Sequence, residues 1–161
     1  GSSTMTDGRT RFSDLVSQLD PLLKQLQASP PMARLDDGLE NVPGVYVFYE
    51  DGQPLYVGRT NTVRKRIQGH TRKSSGHNSA TFAFILARKK AEALNLDLSG
   101  YTRTQLEKEY QRFSELFAEA KREVSEMAVR FVLIEDPCTQ SVFELYAAMV
   151  LETEHNDFDN H

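Results

Sequence analysis

Three things are scarce in this chain of 161 residues: cysteine, long apolar runs, and acid in one particular stretch. The single cysteine, Cys138, excludes an intrachain disulfide and a zinc site built from a cysteine cluster, and it agrees with a reducing compartment. No apolar run approaches the length of a membrane span, and a composition of 39% hydrophobic and 26% charged residues is that of a globular protein outside the membrane. Gly1-Ser2-Ser3 reads as a cloning remnant ahead of a start at Met5, and no signal peptide or transit sequence follows, so a cytoplasmic location is expected. The missing acid is more informative. From Gly52 to Ala91 there are nine Lys or Arg and no Asp or Glu, so the rest of the chain holds ten basic residues against all 23 acidic ones. A basic segment in an otherwise acidic chain is an electrostatic footprint for phosphate, although a solvated helix face followed by a basic loop would look the same taken alone.

At the start of that footprint the residue pattern changes character. Residues 44–58 contain two short runs rich in Val, Tyr and Phe on either side of Asp51-Gly52, the composition of a β-hairpin. The runs carry the triplets Gly44-Val45-Tyr46 and Tyr56-Val57-Gly58. A turn of about three residues would set Tyr46 and Tyr56 nearly opposite each other, with both phenols facing one site. After Gly58 the period becomes helical, with Thr60, Asn61 or Thr62 as N-cap and Val63 and Ile67 as the buried stripe. Arg66 and His70, also at i and i+4, fall beside that stripe and point into the groove between helix and hairpin, whereas Arg64 and Lys65 face away.

Elsewhere the chain reads as helices and one more strand. Phe12, Leu15, Val16, Leu19, Leu22, Leu23 and Leu26 make an apolar stripe over residues 11–28, a helical brace for the sheet that Pro21 either kinks or divides in two. Residues 71–79 lack periodicity and read as a mobile basic loop; its His77 is on that basis a solvated side chain. A helix follows from Phe82 to near Asn95, with Arg88-Lys89-Lys90 on its polar side. Leu106, Tyr110, Phe113, Phe117, Ala120, Val124 and Met127 predict one long helix, opened by a capping box at Thr104-x-x-Glu107. Residues 128–135 are strongly β-forming, and 139–151 are helical. The expected fold is α+β: a small, mostly antiparallel three-stranded sheet, hairpin 44–58 plus strand 128–135, flanked by helices in a single domain over residues 1–161.

The two triplets, the turn between them and the spaced Arg66 and His70 together resemble the GIY-YIG nuclease family. The resemblance implies an endonuclease that hydrolyses phosphodiester bonds in DNA, with RNA left open. It implies a catalytic set of Tyr46, Tyr56, Arg66, His70 and Glu144. Glu144 stands where the family places its metal-binding Glu, in the helix after the third strand, while Ser141-x-x-Glu144 also has the spacing of a capping box. Asn156 matches a C-terminal Asn that holds the family's site through hydrogen bonds, and Asn past a helix end is equally a C-cap. Some relatives carry a second imidazole after the Arg helix, which makes His77 a supporting candidate with Gly44, Gly58 and Asn156. Residues 80–126 are longer than the connection in the smallest members and read as a helical insertion.

In the implied mechanism Glu144 holds one Mg²⁺ or Mn²⁺, since a lone carboxylate with water and phosphate suits a hard cation. Arg66 grips the phosphate with a planar fork that keeps its charge, and Tyr46 takes a proton from the attacking water. Arg66 and the cation, with His70 as a further candidate, are the positive groups that would favour the phenolate; Tyr56 orients Tyr46 or the phosphate, and His70 positions the water or relays a proton. Arg59, Arg64, Lys65, Arg72, Lys73, Arg88 and Lys89 are the candidate nucleic-acid contacts. The alternative is a nucleic-acid-binding domain of the same fold without turnover. Asp157, Asp159 and His161, close to the C-terminus, are not counted as metal ligands.

Overall fold

The structure is a computed structural model that describes residues 7–156; Met5 and the acidic tail with Asp157, Asp159 and His161 lie outside the described residues. The chain runs α1 (Gly8–Ala28), β1 (Gly44–Glu50), β2 (Gln53–Thr60), α2 (Val63–Thr71), α3 (Thr81–Ala93), α4 (Arg103–Lys108), α5 (Gln111–Ser125), β3 (Ala128–Leu133) and α6 (Pro137–Leu151). The three strands form one antiparallel sheet in the order β2-β1-β3. As the central strand, β1 is apolar on both sides, and this sets the layering. Tyr46 and Phe48, with Val129 of β3, face a core made with α2, α3, α4 and α5. Val45 and Val47, with Val57 and Val132, face a second core made with α1 and α6. Among the described residues no helix is long and apolar enough to cross a membrane.

The hairpin turn is tighter than its sequence suggests. Asp51 and Gly52 form a two-residue loop, both with positive φ, 52° and 80°, the backbone of a type I′ turn whose twist matches the strands it joins. Between Phe48 and Tyr49 the register then shifts: Tyr49 pairs with Pro54, but Phe48 pairs with Tyr56, leaving Leu55 as the extra residue of a bulge. Tyr46 is therefore paired with Gly58, and Tyr56 sits diagonal to it rather than nearly opposite. Both phenols keep the same face of the sheet.

Three helix boundaries also depart from the sequence reading. α1 runs unbroken through Pro21, at an exposed position where water can satisfy the carbonyl that proline leaves without a donor. The expected long helix divides into α4 and α5 at Glu109-Tyr110, and its capping box forms at Thr102 and Gln105, not at Thr104 and Glu107. α6 starts at Pro137 with Asp136 as N-cap, whose Oδ2 accepts from the Thr139 amide at 2.9 Å. Ser141 and Glu144 are thus interior to α6, and the capping role for Glu144 is overturned. The carboxylate has no orphan helix amide to satisfy.

Candidate active site

α2 is held by the loop that precedes the hairpin. The Val63 and Arg64 amides donate to Val42 and Glu40 carbonyls at 2.9 and 3.1 Å, and the Lys65 amide donates to Asn41 Oδ1 at 3.2 Å. Thr62 is the N-cap but makes no side-chain cap bond. With its first turn satisfied this way, α2 buries Val63, Ile67 and His70 as one stripe.

That stripe delivers His70 to Tyr46: Oη and Nε2 lie 2.7 Å apart in a fully buried pair. Tyr46, Phe48 and Tyr56 surround the imidazole with ring centroids 5.4–5.9 Å away, and Tyr56 stacks on Phe82 at 4.7 Å. Room for the Tyr46 ring comes from Gly58, its strand partner. A Cβ there would sit 2.2 Å from Tyr46 Oη, so any side chain at residue 58 displaces the phenol. Gly44 is constrained in the same way by the neighbouring strand, since a Cβ would lie 2.2 Å from the Val132 carbonyl oxygen.

Burial dominates the titration of these groups. It pushes the His70 imidazole down to about 3, with the Arg66 guanidinium adding to the effect, so His70 is neutral and contributes no positive charge to the site. This corrects its expected role in favouring a phenolate by charge. Burial also raises the Tyr46 phenol; Tyr56 adds to that and Arg66 opposes it. Tyr56 is raised for the same first reason. The His70 shift has a consequence for stability. Because the native imidazole stays neutral down to about pH 3 while the unfolded one takes a proton near pH 6.5, stability is fully present above 6.5 and falls as the solution is acidified through that window. The slope attributable to His70 approaches about 1.4 kcal/mol per pH unit below pH 6. Urea unfolding from pH 7.5 to 4.5 checks this: replacing His70 with Gln should remove that part of the slope, and an identical slope in the variant contradicts it.

Arg66 is half-buried at the rim of the site. Its Nη1 donates to the carbonyls of Asn78 and Ser79 at 3.4 and 3.1 Å and its Nη2 to Thr81 Oγ1 at 3.1 Å. Glu144 approaches from α6 with its side chain 25% exposed and Arg59 Nε 4.0 Å from Oε1. Burial raises its carboxyl and Arg59 opposes the shift. Both tyrosines feel its charge, and so share an electrostatic neighbourhood with it. Asn156 is no C-cap, a position held by Glu152 in the left-handed region. Its amide instead completes the open edge of β2: Oδ1 accepts from the Val57 amide at 2.8 Å and Nδ2 donates to the Val57 carbonyl at 2.9 Å. Among the described residues no three His, Cys, Asp or Glu side chains converge.

The other candidates divide into free and engaged groups. Lys65, Arg72 and Lys73 are exposed, with Arg72 Nη2 3.4 Å from Gln68 Oε1. Arg64 is tied through Nε to the Leu39 carbonyl at 2.6 Å, and half-buried Arg88 lies over the Phe84 ring. Lys89 reaches the Glu154 carbonyl and His155 Nδ1 at 3.2 and 2.8 Å. His77 is not simply solvated: Nδ1 lies 2.8 Å from Glu107 Oε1. Glu107, Lys121 and Thr81 carried no signal as site residues in the sequence, Glu107 being spaced like a cap and the other two lying in ordinary helical pattern.

The sheet, the arginine-bearing helix and the tyrosine pair over a glycine are those of a GIY-YIG nuclease domain. The chain belongs to that family: the profile described as "GIY-YIG catalytic domain" matches residues 42–123, half of the chain. Among curated proteins it is similar to "UvrABC system protein C" of Deinococcus radiodurans, 36% identical over 66 residues, covering 37% of this chain and 10% of that protein. The protein of the same name in Brucella suis is 36% identical over 69 residues, 37% of this chain and 11% of that protein. The match thus takes in about a tenth of those relatives' length. One solved structure, the GIY-YIG N-terminal endonuclease domain of UvrC from Thermotoga maritima, a point mutant bound to its catalytic divalent cation, aligns at 14% identity and a TM-score of 0.34 over 86% of this chain and 97% of that one.

Proposed function

We propose that this chain is a divalent-metal-dependent endonuclease that hydrolyses phosphodiester bonds in DNA, with Tyr46, Tyr56, Arg66, His70 and Glu144 as its catalytic residues. The observation that carries the reading is the buried 2.7 Å contact between Tyr46 and His70, with Arg66 and Glu144 in electrostatic reach, in a chain of the GIY-YIG family. The donor set fits a hard cation. Glu144 offers carboxylate oxygen, with Arg59 Nε 4.0 Å from Oε1, and is partly open to solvent. Mg²⁺ or Mn²⁺ would take that one carboxylate and fill its remaining positions with water and phosphate oxygen. Bound there, the ion supplies positive charge to the phosphate and the leaving oxygen.

The chain's own residues do the rest. Arg66 neutralises the phosphate and, being adjacent to Tyr46, lowers a phenol that burial raises. Tyr46 accepts the proton of the attacking water. A phenolate has no proton to give, so only the tautomer with hydrogen on Nε2 allows His70 to bond it; His70 thus supports the base as a neutral donor. Nδ1, buried without a partner among the described residues, is then an unprotonated acceptor, the less costly kind of orphan. Tyr56 packs against the imidazole and fixes its plane.

The test is plasmid, single-stranded and branched DNA incubated with the pure chain. Cleavage is expected in Mg²⁺, none after chelation, and recovery when Mg²⁺ or Mn²⁺ is returned. A folded protein that binds but cleaves none of the three substrates in either metal overturns the proposal in favour of a non-cleaving binding domain.

A further inference from the structure

We propose that Glu107 and His77 are positioning residues for Arg66, and that α4 and α5 serve the site by clamping the 72–79 loop whose carbonyls aim the guanidinium. The inference rests on the nuclease reading for what Arg66 then does, though not for the clamp itself.

Among the described residues no carboxylate pairs with Arg66; its direction is set by two backbone carbonyls and one hydroxyl, those of Asn78, Ser79 and Thr81. Neutral acceptors hold the fork without cancelling its charge, which suits a group that must meet phosphate. Thr81 is held in α3, but the loop that supplies the two carbonyls has neither helix nor strand of its own to keep it in place. Two ties from the helical segment do so. Lys121 of α5, a buried lysine, donates through Nζ to the carbonyls of Lys73 at 2.6 Å and Ser75 at 2.9 Å. Glu107 of α4 accepts from the His77 amide at 2.8 Å and meets His77 Nδ1 at 2.8 Å, so a single carboxylate oxygen holds backbone and side chain of the same residue.

The pair differs from an ordinary surface ion pair in two ways. Its side chains are only 16% and 18% exposed. The carboxylate also lies against the backbone at Gly76, where a Cβ would stand 3.1 Å from both its oxygens. From that anchor to Arg66 the path is short. The Ser79 and Ala80 amides both bond the Gly76 carbonyl, at 3.2 and 2.9 Å, so residues 76–80 form one turn that shifts as a unit. A cavity of about 380 Å³, lined by residues of this turn with Thr104, Glu107 and Lys108, gives the turn space to move once the tie is cut. A displacement of about an ångström at a catalytic group is enough to cost up to 10²-fold in rate.

The experiment combines single-turnover cleavage with the ¹⁵N-edited Nε–H signal of Arg66, assigned by its loss in Arg66→Lys. Glu107→Ala should slow cleavage by roughly 10- to 100-fold and broaden or shift the Arg66 signal, with little change in substrate affinity. Glu107→Gln keeps a carbonyl oxygen for both bonds and should restore most of the rate. In an Arg66→Ala background, Glu107→Ala should add almost nothing, because the two act through one group. If Glu107→Ala does not fold, His77→Ala, which leaves the backbone tie in place, should show the same pattern with a smaller, several-fold loss. An unchanged Arg66 signal, or an equal slowing with and without Arg66, overturns the proposal. An Arg66 signal that shifts in Glu107→Ala when the wild-type chain itself cuts no DNA leaves the positioning role intact and removes the nuclease reading instead.

Discussion

Glu144→Gln should abolish metal-dependent cleavage, a fall of roughly 10²- to 10³-fold or more in the single-turnover rate, without loss of stability. The structure makes this sharper than a generic loss of a carboxylate. Glu144 is interior to α6 and caps nothing, so its removal forfeits no helix amide. Burial already disfavours its charged form, which means that at neutral pH the ionised carboxylate weighs against folding, and the neutral amide should leave the protein at least as stable. The metal separates the two proteins. Added Mg²⁺ should raise the melting temperature of the wild type by mass action and leave that of Glu144→Gln unmoved. A variant that still cuts at the wild-type rate, or that still responds to Mg²⁺, places the cation elsewhere.

Tyr46→Phe should lower turnover by at least roughly 10²-fold, the usual contribution of general-base assistance, with substrate affinity close to normal. The pH profile is the sharper readout. Because burial raises the phenol, the free protein holds Tyr46 protonated at neutral pH, and the wild-type rate should climb as pH rises from 6 to 10. The Phe variant should show a flat residual rate. Removing the hydroxyl also leaves His70 Nε2 without its partner inside the core, beside an Nδ1 that already has none, and this should cost about 1–3 kcal/mol of stability. Assays must therefore be run well below the variant's melting temperature. Tyr56→Phe keeps the ring that packs on the imidazole and removes only its hydroxyl, and a several-fold loss is the expectation. A wild-type rate in Tyr46→Phe would move the base elsewhere. His70 would then be the next candidate, being neutral and unprotonated at one nitrogen.

The features legible from the sequence were those written in local patterns. The hairpin, the two glycine-and-tyrosine triplets and the third strand follow from β-forming composition and turn residues. Arg66 and His70 follow from helical spacing beside Val63 and Ile67. Errors cluster where the answer depends on residues far along the chain. Composition does not count a turn to the residue, so the bulge at Leu55 and the pairing of Tyr46 with Gly58 were missed. The apolar period across 106–127 continues through a helix break, because α4 packs on α5 and both turn their apolar residues into the same core.

What this sequence determined by itself is the kit: two phenols on a hairpin, an imidazole and a guanidinium in the basic stretch that follows its turn, and a carboxylate on a later helix. Tertiary structure decided how each group behaves. Burial between sheet and helices keeps His70 a neutral partner of Tyr46. Asn156 came to pin Val57 from 99 residues away. Glu107, spaced like a cap, became the anchor of His77, 30 residues earlier in the chain. Charge state, hydrogen-bond partner and desolvation are properties of the surroundings, and the surroundings exist only after the two cores have closed on the sheet.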